Sequence, residues 1–65
     1  MQIKLNGENK EVAADTIAAL LRELEAPGQG VAVALNGRVV RRAEWATTHL
    51  QENDEVEIIR AVQGG

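Results

Sequence analysis

Two Asn-Gly dipeptides, at residues 6–7 and 36–37, constrain the fold of this chain more than anything else in it. Asn and Gly both tolerate positive φ, which a two-residue type I′ turn demands, so each pair marks a tight hairpin reversal. Ahead of the first turn, residues 1–5 alternate, with Ile3 and Leu5 on one face and Gln2 and Lys4 on the other. That period of two is the pattern of a half-buried strand. Residues 8–13 return as a second strand, with Val12 toward the core. Ahead of the second turn, residues 31–35 form a continuous apolar run bounded by Gly30 and Asn36. Its length and β-branched content favour a central strand over a helix. A short strand at 38–40 follows.

The segment between the hairpins has a different period. Ile17, Leu20, Leu21 and Leu24 recur at i, i+3, i+4 and i+7, one apolar stripe of a helix. Asp15 or Thr16 can cap it by accepting from an unpaired first-turn N–H. Ala26 precedes Pro27, which disfavours helical geometry, and Gly28 permits the reversal. A helix of about ten residues ending near Ala26 is expected, with Glu23 and Glu25 off the stripe and solvated. Residues 43–50 read as irregular or one short helical turn, anchored by Trp45 and Leu50. A turn at 52–54 leads to a closing strand over 55–61. Two hairpins around one helix, with the closing strand parallel to the first, predict an α+β fold. The arrangement is the β-grasp (ubiquitin-like) mixed sheet wrapped on one helix. The domain spans 1–61, followed by a flexible C-terminal diglycine tail at 62–65.

Size and composition exclude much. Sixty-five residues make one domain, and such a chain buries only about 60% of its unfolded surface. There is no cysteine and one histidine, so no disulfide framework, thiolate metal site or cysteine nucleophile is available. A net charge of -3 weighs against a nucleic-acid partner. Arg38, Arg41 and Arg42 form a local basic cluster, read as a solvated loop edge. No apolar run approaches the roughly 20 residues of a membrane span, and no export signal is visible. A soluble, cytoplasmic monomer is expected.

One helix covers one sheet face and leaves the other free. If Val56 and Ile58 point inward, then Glu57, Ile59 and Ala61 point out. With Val31, Val33 and Leu35 inward, Ala32 and Ala34 also face out. Ala32, Ala34, Ile59 and Ala61 are therefore the candidate partner-docking face, and Val62, at the root of the tail, is taken with them. The chain then stops at Gly64-Gly65. Terminal glycines add nothing to a core and lose more freedom on ordering than other residues. They suit a carboxylate that must enter a space too narrow for side chains, and four residues past Ala61 reach roughly 13 Å. Gly65 is thus the candidate working group, through its α-carboxylate, and Gly64 gives the tail steric access. The plain alternative is a frayed end. No general base, phosphate loop or metal site is visible. Glu55 and Glu57 share a strand face with nothing to orient them as a pair, His49 reads as a surface residue, and Trp45 as a packing anchor.

Four segments carry a family resemblance: Val33-Ala-Leu-Asn-Gly-Arg-Val-Val40, Arg42-Ala-Glu-Trp45, Leu50-Gln-Glu-Asn-Asp-Glu-Val-Glu-Ile58 and Gly64-Gly65. The chain resembles the ThiS family, the sulfur carriers of thiamine thiazole biosynthesis, over nearly its whole length. Arg-x-x-Trp is the most specific element. Asn53 departs from the glycine such families often carry, and its tolerance of the left-handed conformation should leave the turn intact. The resemblance implies a carrier that is a protein co-substrate, with no catalytic residue or bound cofactor of its own. A ubiquitin-activating-type (ThiF-like) adenylyltransferase would use ATP to adenylate Gly65. A sulfur donor such as a cysteine desulfurase persulfide would convert it to a thiocarboxylate, and a ThiG-like thiazole synthase would accept the sulfur. The alternatives are a small subunit of molybdopterin synthase and a ubiquitin-like protein modifier.

Overall fold

The computed structural model describes residues 1–26 and 30–60. Its elements run β1 (Gln2–Leu5), β2 (Glu8–Glu11), α1 (Ile17–Glu23), β3 (Val31–Leu35), β4 (Arg38–Val40), a 3-10 helix (Arg42–Thr47) and β5 (Glu55–Arg60). The strands form one five-stranded sheet in the order β2-β1-β5-β3-β4. β1 and β5 are parallel, and the other three pairings are antiparallel. This is the mixed sheet expected from the two hairpins and the closing strand.

Both hairpin turns take the geometry that Asn-Gly favours. Asn6 and Gly7 have φ of 50° and 85°, and Asn36 and Gly37 have 51° and 85°. Two residues per turn fix the pairing at Leu5↔Glu8 and Leu35↔Arg38, so every side chain beyond has an assigned face. Ile3, Val33, Val40 and Val56 point to α1 and are buried with Ile17, Leu20 and Leu21. Val12 joins them just beyond β2, where its N–H donates to the Met1 carbonyl at 2.8 Å.

Trp45 and Leu50 are buried anchors, as expected. The indole Nε1 of Trp45 donates to the Val40 carbonyl at 2.9 Å, so burial leaves no indole donor without a partner. The loop after the 3-10 helix also ties down the start of α1. Ile17 N–H donates to the Thr48 carbonyl at 3.1 Å and Leu50 N–H to the Asp15 carbonyl at 2.8 Å. Of the two candidate caps, Thr16 is the one used: its Oγ1 accepts from the Ala19 N–H at 3.1 Å. Asn53 sits at φ 70° with its turn intact.

One expectation needs correction. The helix is seven residues long and caps at Leu24, two residues before Ala26. Glu25 takes the left-handed conformation at φ 56°. Ala26 N–H then reaches the Leu21 carbonyl at 2.9 Å and Glu25 N–H the Arg22 carbonyl at 3.1 Å. These crossed bonds are a Schellman ending, and they place the reversal at Glu25. Pro27 and Gly28, to which it was assigned, lie outside the described residues. Glu23 is exposed, as expected, and it also makes local contacts. Its carboxylate accepts from the backbone N–H groups of Ala13, at 3.1 Å, and Ala14, at 2.9 Å, satisfying donors between β2 and α1.

A non-glycine residue at a left-handed helix ending carries a steric cost that glycine avoids. Glu25→Gly is therefore expected to stabilise the fold by about 0.5–1 kcal/mol. Thermal unfolding followed by circular dichroism should show the midpoint a few degrees higher. A midpoint at or below that of the parent chain would contradict this account of the helix end.

Candidate functional site: the outer sheet face and the closing strand

The sheet face turned away from α1 carries the sequence-derived docking residues that the structure describes. Register places Ala32 opposite Ile59 and Ala34 opposite Glu57, and directly opposed residues share a face. Ile59 is 61% exposed. Ala32 is exposed and Ala34 partly so. Ala61 and Val62, expected to extend this face, and Gly64 and Gly65 lie outside the described residues.

Sequence reasoning missed Val39. It pairs with Ala34 and is 78% exposed on the same face. Val39 and Ile59 are the large apolar side chains left exposed among the described residues. Both lie on the outer face, with Ala32 and Ala34 between them on β3. The signal was available: a two-residue turn at 36–37 forces residue 39 opposite 34. Glu57 stands beside this apolar set and gives it an acidic rim.

The strand that leads toward residues 61–65 is β5. It lies between β1 and β3, but the β1 register ends at Leu5↔Val56, whereas the β3 register continues to Val31↔Arg60. Asn6 supplies what β1 lacks. Its backbone N–H donates to the Val56 carbonyl at 2.9 Å. Its side-chain Oδ1 accepts from the Ile58 N–H at 2.9 Å, and Nδ2 donates to the Ile58 carbonyl at 3.4 Å. Asn36 does the same at the strand's start, with Oδ1 accepting from the Glu55 N–H at 2.9 Å. Its own N–H donates to the Glu55 carbonyl at 2.7 Å.

The charged candidates lie at the surface. Arg38, Arg41 and Arg42 are exposed, as is His49. Among the described residues the one salt bridge joins the Met1 ammonium to Glu11, and no three potential metal ligands come together. Among the described residues no helix is long and apolar enough to cross a membrane. What the arrangement offers is an exposed apolar group on the outer sheet face beside a closing strand paired on both edges.

A match to the family model for the ThiS family covers residues 3–65. The chain belongs to the ThiS family. It is 33% identical to the sulfur carrier protein ThiS of Escherichia coli, with the whole of both chains covered. It is also 38% identical to a stretch of the thiazole synthase of Magnetococcus marinus. That match covers all of this chain and 20% of the other. The crystal structure of a thiamine biosynthesis protein (ThiS) from Geobacter metallireducens superposes with a TM-score of 0.85. It is 32% identical over the full length of both chains. The β-grasp architecture is thus shared with a solved member of the family.

Surface apolar residues contribute little to folding, whereas core leucines contribute a great deal. Val39→Ser and Ile59→Ser should each change unfolding free energy by less than about 0.5 kcal/mol. Leu20→Ala, at a fully buried helix position, should cost about 2–5 kcal/mol. Urea titrations of the three variants check this. A large loss at Val39 or Ile59 would mean that the outer face is structural.

Proposed function

We propose that this protein is a sulfur carrier for thiamine thiazole formation, acting as a protein co-substrate and not as an enzyme. The observation that carries the reading is the family match, which runs through Gly64 and Gly65. A terminal carboxylate is ionised at neutral pH and is a poor electrophile, so it must be activated. A ThiF-like adenylyltransferase joins the Gly65 carboxylate to AMP, with pyrophosphate leaving from ATP. A sulfur donor such as a cysteine desulfurase persulfide, with a thiol to release it, then displaces AMP. The product is a thiocarboxylate on Gly65. A chain without cysteine suits this role, since the cargo cannot be diverted into a disulfide of the carrier itself.

The sulfur acceptor in this reading is a ThiG-like thiazole synthase. Support comes from the thiazole synthases of Magnetococcus marinus and Paramagnetospirillum magneticum, each of which contains a stretch similar to this entire chain. The apolar group Ala32, Ala34, Val39 and Ile59, with Ala61 and Val62, docks the partners, and Gly64 lets the tail thread a narrow channel. The cytoplasm, where ATP is available, is the compartment this chemistry calls for.

The test is intact mass spectrometry after incubation with ATP, a cognate adenylyltransferase and a sulfur source. Exchange of one oxygen for sulfur, confirmed by thiocarboxylate-selective alkylation, is the expected result. A chain lacking Gly65 should show no exchange. Sulfur uptake by that chain, or isopeptide conjugates in place of sulfur transfer, would overturn the reading. Ile59→Arg should keep the fold and raise the KM for adenylation about tenfold, the worth of one well-buried apolar contact. An unchanged KM would remove Ile59 from the docking face.

A further inference from the structure

Asn6 is placed to do more than turn a hairpin. From Val56 onward β5 outruns β1, and the end of β5 that leads to residue 61 keeps strand pairing on the β3 side. On the opposite side, the side-chain amide of Asn6 stands in for a peptide group, engaging both the N–H and the C=O of Ile58. Ile58 lies two residues before Arg60, the last described residue of the strand. We propose that Asn6 is a positioning residue for delivery of the chain end: its carboxamide holds the exit of β5 in the direction the activating enzyme must meet. The proposal rests on the reading of Gly65 as the reacting carboxylate.

The reasoning is mechanical and energetic. A strand end paired on one edge can pivot about that edge. A wider range of directions at Ile58 widens the volume open to the chain that follows Arg60. A carboxylate that samples a wider volume spends less time at the adenylation site, which lowers kcat/KM without any contact being lost to the partner. Asn36 is the internal control. It has the same turn geometry, and its Oδ1 likewise accepts from a β5 N–H while its Nδ2 donates to Asp54 Oδ1 at 3.1 Å, but it holds Glu55, at the far end of the strand.

The experiment compares Asn6→Gly and Asn36→Gly in the full chain. Glycine keeps the positive φ that both turns require and removes the carboxamide. Both variants should lower the melting midpoint by similar small amounts. Asn6→Gly alone should speed hydrogen exchange at the Ile58 amide and lower kcat/KM for adenylation, each by about 3–10-fold, the worth of one net hydrogen bond. Asn6→Asp, which keeps an acceptor for the Ile58 N–H, should recover part of both. Unchanged exchange at Ile58 in Asn6→Gly would overturn the clamp without reference to any partner. Faster exchange with parental adenylation, or equal kcat/KM losses in the two glycine variants, would overturn the positioning role. A parent chain that a cognate enzyme cannot adenylate would instead sink the sulfur-carrier reading, and the positioning role with it.

Discussion

The closing strand is where the two halves of this molecule are joined, and its backbone sets the terms for everything else. β5 enters between β1, from the first hairpin, and β3, from the second. A strand in that position has N–H and C=O groups on both edges, and those shielded from water must be paired. The short parallel ladder with β1 does not reach far enough. The side chains of Asn6 and Asn36 complete the pairing, each from a residue whose positive φ also makes its hairpin turn. One residue type therefore meets two demands, reversing the chain locally and locking a strand that arrives some fifty residues after Asn6.

That lock has a functional consequence. With β5 fixed in the middle of the sheet, Val56 is buried under α1, while Ile59 faces the open side beside Ala32. The seven-residue helix α1 covers one sheet face and leaves the outer face, with Val39 and Ile59, exposed. Small residues on β3 leave that face low and flat between Val39 and Ile59. Under the sulfur-carrier reading, partners supply the nucleotide, the sulfur and the catalysis.

Much of this was legible from short-range patterns. The hairpins, the α1 stripe, the inward set of β3 and β5, and the anchors Trp45 and Leu50 all follow from periodicity and turn chemistry. The gaps came where a residue's partner lies far away in sequence or where a backbone conformation contradicts local propensity. Glu23 is exposed as read, but its partners were not legible, because the N–H groups it serves belong to Ala13 and Ala14, a helix length away. Glu25 was passed over as a helix end because glycine usually fills that left-handed position. Val39 was lost among the residues of a short edge strand, although the turn register already placed it.

By itself, then, the sequence determined the element order, the two turn geometries and which side chains face the helix, because these depend on φ preferences and on periods of two and 3.6. It also carried the family segments and the terminal glycines on which the functional reading rests. Tertiary structure decided which backbone groups the two turn asparagines engage, where the helix stops and how the outer apolar residues come together. Those outcomes depend on pairing between segments distant in the chain. Hydrogen-bond satisfaction across such distances is a property of the packed sheet, and no local pattern encodes it.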